Sequence, residues 1–380
     1  MGWLLIIGGV LLMWTILRDT FEAMILPRTV TRNLRPTRIF YACLRTGLKL
    51  LLKTGVRGEA RETLLASYAP LSLLLLIVFW AVGLIFAFAL IHSGLQTPMN
   101  GVTVSPIPFA DNLYFSGVTF LTLGYGDFSP KFGLGRFLAT VEAGTGFLFL
   151  AVVISYLPVL YQSFSRREVT ISLLDARAGS PPTAGELLRR FGEADNADGL
   201  LDLLKDWEHS AAELLESVLS YPILAFYRSQ HDRQSWIGAF AAILDVSALL
   251  RIETPCKQEF RGRLRWQAQL TFAMARHALV DLSMVLFSPP KYATPDRFPF
   301  EEWLIFCERT NASGIHIDPS RENYDKLAVM RHTYEPYLAS LSDVLNAELP
   351  PWIIMEKDGG DNWEHSAYDK HTHFVHEEKV

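Results

Sequence analysis

Phe109–Phe120 is an apolar stretch of twelve residues with the pattern of one short helix. At 1.5 Å per residue it would be about 18 Å long, whereas the hydrocarbon core of a bilayer is about 30 Å thick. It lies between two nearly uncharged stretches, Leu64–Ile91 and Phe137–Leu160, that are long enough to cross. A short apolar segment between two spans must dip into the membrane and return. Irregular backbone at that depth is tolerated only where protein or a water-filled cavity covers it. Pro106 and Pro108 stand before the segment and Asp111 in its first turn, as suits a helix start and its dipole. The residues that follow read Thr119-Phe-Leu-Thr-Leu-Gly-Tyr-Gly-Asp127.

That string carries its own chemistry. A dehydrated cation needs a cage of oxygens in place of its water. The backbone carbonyls of Thr122, Leu123, Gly124 and Tyr125, with the Thr122 hydroxyl, can supply stacked rings of them. Successive carbonyls face one axis only if the backbone alternates between right- and left-handed regions. Gly124 and Gly126 permit positive φ without steric cost.

From Leu113 to Asp127 the chain resembles the pore loop of tetrameric potassium channels, through its Thr-x-Gly-Tyr-Gly-Asp string. The resemblance covers about Leu64 to Tyr161. It implies a selectivity filter at Thr122, Leu123, Gly124, Tyr125 and Gly126, with K⁺ held by the carbonyls of the first four. Tyr114 and Phe115 fall where the family carries an aromatic pair behind the filter. Asp127 matches the carboxylate at its outer mouth. Val118 departs from the bacterial channels that have glutamate there, so inactivation built on a carboxyl pair is in doubt. Leu121 and Leu123 replace a frequent threonine and a frequent valine or isoleucine.

Half of the 380 residues are hydrophobic, and they are concentrated in the membrane segments. Gly2–Leu17 is a third uncharged stretch, about 24 Å as a helix and marginal for a span. No positive residue precedes its core and no small-residue cleavage site follows, so an uncleaved span is expected rather than a signal peptide, with a helix lying in the membrane interface as the alternative. Residues 18–62 hold ten Lys/Arg against four Asp/Glu, which marks them as cytosolic. The N-terminus is then outside, the second span runs outward, the pore loop dips from the outer face, and the third span returns. One pore loop occurs per chain, so a closed ring of carbonyls requires a homotetramer.

Within the basic connector, Phe40, Tyr41, Leu44, Leu48, Leu51 and Leu52 recur at near-helical spacing, with Arg38, Arg45, Lys49 and Lys53 elsewhere on the wheel. This predicts an amphipathic helix on the inner membrane surface, drawn to anionic lipid; the competing expectation is a helix packed on the C-terminal domain. In the third span, Gly144 and Gly146 permit bending or close packing, and Pro158 permits a kink, so all three are gating candidates. Glu142 is an ionisable residue on a membrane helix and needs a partner, expected in the pore helix or the backing of the filter.

Residues 162–380 carry 23 basic and 33 acidic residues. They read as a cytosolic all-α domain, with a strand or extended linker at Val169–Leu174 and a break at Gly179-Ser-Pro-Pro-Thr183. Leu200, Leu201, Leu204, Trp207, Ala211, Leu214, Leu215 and Val218 follow a 3.6 period. Further helices are predicted at Ser235–Leu250, Gln258–Leu286, Phe300–Thr310 and Arg321–Ala347. Cys43, Cys256 and Cys307 suit neither a disulfide framework nor a metal site and read as buried thiols. Asp195, Asn196, Asp198 and Gly199 fail the EF-hand spacing. Phe191-Gly192-Glu193 is too short to indicate a cyclic-nucleotide cassette. Lys257, Arg261 and Arg265 read as a solvated helix face, and His371, His373 and His376 as part of a polar tail.

The expectation is an all-α membrane protein. Its parts are an N-terminal span (1–17), a basic connector (18–62), a pore domain (63–161), a linker (162–182), a helical domain (183–360) and a disordered tail (361–380). Within the pore domain the outer helix is 64–91, the pore helix 109–120, the filter 122–127 and the inner helix 137–160. The expected function is passive K⁺ conduction in a bacterial-type plasma membrane, with the helical domain modulating opening. Membrane lipids and K⁺ ions are the expected partners, along with an unidentified ligand of the cytosolic domain. No catalytic set, cofactor or nucleic-acid partner is expected. The alternatives are a weakly selective cation channel and a membrane-anchored sensing module.

Overall fold

The computed structural model describes residues 2–24, 36–53, 59–101, 106–229, 233–252, 258–292 and 295–354. Cys256, Lys257 and the histidine-bearing tail lie outside them. Twelve α-helices, one 3₁₀ turn and one pair of two-residue strands make up the regular structure of the described residues. The chain divides into two units, Met1–Gln162 and Ser163–Val380. Three helices are long and apolar enough to cross a membrane, and the chain is an all-α membrane protein.

The first unit contains α1 (Gly2–Met24), α2 (Pro36–Lys53), α3 (Glu59–Leu95), α4 (Phe109–Phe120) and the first part of α5 (Gly133–Ala178). Helices α1 and α3 run antiparallel at close range. A Cβ on Gly94 would meet the Gly2 carbonyl oxygen at 2.6 Å, and one on Gly9 would meet that of Ala87 at 2.7 Å. Small residues let membrane helices approach in this way. Between them Ile16, Leu76, Trp80, Leu84 and Phe120 form a buried cluster. Outward, Trp3, Leu4, Trp14, Leu71, Val82, Phe147 and Ile154 remain exposed, the apolar surface expected of helices that meet lipid or other subunits.

Helix α1 runs seven residues beyond the uncharged stretch because its charges are accommodated. Arg18 pairs with Glu22 at 2.9 Å. The buried Asp19 carboxylate accepts from Trp80 Nε1 at 3.0 Å and from the Thr37 backbone N–H at 3.0 Å. That carboxylate therefore sits at the N-terminus of α2, where the helix dipole favours it. Phe40 of α2 packs on Phe79 of α3, ring centroids 5.6 Å apart, while Arg38, Arg45 and Lys53 are exposed. Cys43 is exposed, contrary to expectation, and Cys307 is buried.

Helix α5 corrects the sequence reading most. It is helical through Val169–Leu174, where a strand or extended linker was expected, and ends only at Ala178. Val169, Thr170 and Ile171 are β-branched, but their lower helix propensity amounts to a few tenths of a kcal/mol each. The buried residues Phe164, Ile171, Leu174 and Ala178 recur at helical spacing, and burying that face outweighs the propensity.

The second unit adds α6 (Ala184–Glu193), α7 (Ala197–Ser220), a 3₁₀ turn (Pro222–Phe226), α8 (Trp236–Ile252), α9 (Gln258–Val285), α10 (Phe300–Ala312), α11 (Arg321–Arg331) and α12 (Glu335–Leu345). Every residue of α8 from Trp236 to Leu250 is buried, which makes it the central helix. Asn196 caps α7 by accepting from the Gly199 N–H at 2.8 Å. The single helix expected over Arg321–Ala347 is two. Chain direction changes at His332–Tyr334, where Tyr334 turns inward to donate to Asp245 at 2.6 Å, and Pro336 suits the start of α12.

Candidate functional site

The site is built on the end of α4. Pro108 precedes the helix in an extended conformation and Asp111 lies in its first turn. After Phe120 the chain stays tied to the helix. The N–H groups of Leu121, Thr122 and Leu123 donate to the carbonyls of Gly117, Thr119 and Val118 at 3.0, 3.1 and 2.9 Å. The backbone then takes positive φ at every second residue: Thr122 at 57°, Gly124 at 60° and Gly126 at 78°. Thr122 was not foreseen in this role. A β-branched residue with positive φ is a genuine outlier, and such strain collects at functional positions.

Among the described residues, the carbonyls of Thr122, Leu123, Gly124 and Tyr125 accept no hydrogen bond within the protomer. Residues 121–127 are exposed, with Leu123 52% and Tyr125 67% accessible. The loop thus offers unpaired oxygens on an open face. Open space surrounds a Cβ built on Gly124 or Gly126, so conformation rather than crowding selects glycine there.

Two supports hold the loop. Tyr114 Oη donates to Asp127 Oδ2 at 2.8 Å, and the Tyr114 ring meets Phe128 edge-on at 5.7 Å. Behind the loop, Met99–Asn100 pairs antiparallel with Ser129–Pro130, and Lys131 N–H donates to the Pro98 carbonyl at 2.9 Å. A cavity of about 180 Å³ lies among Val118, Gly124, Asp127 and Ala139. Tyr114, Thr119 and Ser129 also line it, and Val118 adds no polar group.

The other expected residues lie further from the open face. Phe115 lines the cavity behind the loop together with Tyr114; it is buried, and it also packs at right angles to the His92 ring, 5.2 Å between centroids. Glu142 on α5 is fully buried, and its Oε2 lies 3.3 Å from His92 Nε2 on α3. Its hydrogen-bond partner is on the outer helix, and Ser116 of the pore helix, where a partner was expected, also lies close to the carboxylate. His92 Nδ1 contacts Thr97 Oγ1 at 3.1 Å. Sequence reasoning did not single out His92, although an ionisable residue near the end of a membrane helix is the natural partner for another. Gly146 lies against the end of α4, where a Cβ would come 1.8 Å from the Phe120 carbonyl oxygen, whereas Gly144 has nothing within 4 Å. Helix α5 continues through Pro158.

Residues 73–162 match a family model described as "Ion channel". Over 193 residues the chain is 27% identical to the uncharacterized membrane protein YdjJ of Bacillus subtilis, covering 50% of this chain and 55% of that protein. It is 37% identical over 90 residues to protein LctB of Bacillus caldotenax, and 38% identical over 88 residues to protein LctB of Geobacillus stearothermophilus. Each of these covers 21% of this chain and 65% of the relative. The chain thus spans between 55% and 65% of the length of these relatives. No solved structure matches it. The short helix and the returning loop fall inside the matched segment, which also takes in most of α3 and the first part of α5, and residues 73–162 are a pore-loop ion-channel domain carried by a multi-pass membrane protein.

Proposed function

We propose that the protein is a potassium-selective channel that conducts K⁺ passively as a homotetramer. One observation carries the reading: four successive unpaired carbonyls, Thr122 to Tyr125, on a backbone with positive φ at 122, 124 and 126. Four such loops around an axis would give stacked rings of oxygens at ion-coordinating positions. Several ions in line repel one another, so tight coordination does not trap them. The α4 dipole adds its negative end near the same axis. Asp127, held by Tyr114, stands at the outer mouth and draws cations.

The N-terminus is outside and the second unit is cytosolic in a bacterial plasma membrane, as the basic connector implies. Lipids meet the exposed apolar faces of α1, α3 and α5. The second unit modulates opening. A pocket of about 300 Å³ between the end of α5 and α7, lined by Arg166, Trp207, Glu216, Tyr221 and Trp236, would suit a small regulatory ligand. A second reading, a weakly selective cation channel, is favoured by the cavity beside Val118, which leaves the filter less firmly backed.

Reversal potentials in mixed K⁺ and Na⁺, measured on the purified full chain in planar bilayers, separate the two. The expected result is a strong preference for K⁺ that is lost in Gly124→Ala, because alanine resists φ near 60° by about 1–2 kcal/mol in each subunit. A wild type without preference supports the second reading. Selectivity retained in Gly124→Ala removes the site assignment.

A further inference from the structure

Behind α4, away from the exposed loop, five polar side chains from three elements and a connecting loop share a buried position. His92 comes from α3, Thr97 from the loop after it, Asn112 and Ser116 from one face of α4, and Glu142 from α5; all five are 4% exposed or less. His92 bridges Thr97 Oγ1 at 3.1 Å and Glu142 Oε2 at 3.3 Å. The Ser116 hydroxyl lies close to the Glu142 carboxylate, and the Phe115 ring meets His92 at right angles. Every member therefore touches α4 or holds a residue that does. An apolar pair would fill the same space without desolvation cost. What a polar pair adds is direction: a hydrogen bond fixes distance and angle where aliphatic packing allows sliding.

Direction matters here because the loop hangs from α4. The N–H groups of residues 121–123 are tied to the last turn of that helix, one turn beyond Phe115 and Ser116. A shift of α4 along or about its axis moves the Thr122 carbonyl with it, and coordination tolerates about half an ångström. We infer that His92 and Glu142 are a pair of positioning residues that lock α4 between α3 and α5 and so set the alignment of the ion-coordinating carbonyls. Neither touches the ion. The inference rests on the filter reading of Thr122–Gly126.

The test uses single-channel recordings of the full chain, which report only assembled, conducting molecules. Glu142→Leu and His92→Leu are each expected to lower the K⁺ over Na⁺ permeability ratio at least tenfold, and the double variant no further than either alone. Glu142→Gln and His92→Gln, which keep hydrogen-bonding ability, are expected to keep the wild-type ratio. Thr97→Val, isosteric and mild, removes only the Nδ1 contact and is expected to cost about threefold. It carries the test if the leucine variants fail to assemble. Wild-type ratios in Thr97→Val and in any leucine variant that conducts, or additive losses in the double variant, would overturn the inference. A wild-type channel with no K⁺ preference would instead sink the filter reading on which it rests.

Discussion

Each unit buries a cluster of ionisable groups, and the two differ in how densely they are bonded. In the second unit Asp245 accepts from Arg297 at 2.8 and 2.6 Å and from Tyr334 at 2.6 Å. Arg297 also reaches Glu335 at 3.0 Å and the Pro350 carbonyl at 3.1 Å. Arg331 donates to Glu335, to the Phe298 carbonyl and to Asp296. Phe298 stacks on Trp352 at 4.3 Å, closing the cluster. Burial pushes the Asp245 carboxyl up, whereas Arg297 is held above its ordinary value because Asp245 and Glu335 outweigh its own burial. The fork-matched hydrogen bonds decide between these tendencies, and the pair is ionised. The first unit's cluster makes fewer bonds: Glu142 Oε1, Ser116 Oγ and Asn112 Oδ1 meet no hydrogen-bond geometry among the described residues, although Ser116 lies close to the Glu142 carboxylate, whereas in the second unit Arg297 Nε and Trp352 Nε1 are the unbonded atoms of an otherwise well-bonded cluster. Such atoms cost about 1–3 kcal/mol each. A densely bonded cluster fixes architecture. An under-bonded one beside a pore holds a position at some expense in stability.

The sharpest way to break this contrast is Asp245→Ala. It strands Arg297 as a buried charge, so the second unit should lose about 3–5 kcal/mol. Thermal unfolding of the full chain in detergent, followed by tryptophan fluorescence, reads this through Trp303 and Trp352, both buried near the cluster. Loss of less than about 1 kcal/mol would mean that the dense network is decorative. Helix α5 offers the next test. At Gly146 a side chain would collide with the Phe120 carbonyl, so Gly146→Ala should cost about 1–3 kcal/mol by overpacking and reduce K⁺ current. Gly144→Ala should leave protomer stability within about 0.5 kcal/mol. If Gly144→Ala impairs opening while Gly146→Ala does not, bending outranks packing as the use of glycine in this helix.

How far these features could be read beforehand depended on how local their cause is. The bounds of α4 were legible because proline stands before it and a glycine-bearing turn follows. Helix α7 was legible from spacing alone, since Leu200 to Val218 repeat at one period, whereas α6, ten residues long, was not foreseen. The extension of α5 was hidden because three β-branched residues resemble a strand, although Phe164, Ile171, Leu174 and Ala178 already held the helical period. The break between α11 and α12 depends on Tyr334 reaching Asp245, 89 positions earlier. The meeting of His92 and Glu142 joins residues 50 positions apart. No local pattern encodes such pairs. The need for a partner could be deduced from Glu142 by itself, but the partner's identity could not. Thr122 shows the same limit at short range: glycine announces a left-handed backbone, and threonine in that conformation does not.

A milder effect than that of Asp245→Ala is expected where burial is intermediate. Thr183 caps α6 by accepting from the Glu186 N–H at 3.2 Å, and the Thr-x-x-Glu spacing is that of a capping box. The Glu186 carboxylate, however, accepts from Arg189 at 2.8 and 2.6 Å and from Arg190 at 2.7 Å. The hydrogen bonds from Arg189, ahead of those from Arg190 and against partial burial, hold its carboxyl down to about 2. A depressed carboxyl stabilises the fold above its unfolded value near 4.5, and that contribution is lost as pH falls toward 2. Because the group is only half buried, solvent screening reduces the effect to about 1–2 kcal/mol. Denaturant midpoints at pH 5 and pH 3 for wild type and Glu186→Gln should therefore converge at the lower pH, with the variant the less pH-dependent of the two. Raising salt to 1 M should shrink the wild-type advantage at pH 5, since the Debye length falls to about 3 Å, while the buried Asp245 cluster should respond little. Equal salt sensitivity at both places would show that burial does not separate them, and the contrast between bonded cores and solvated pairs would lose its physical basis.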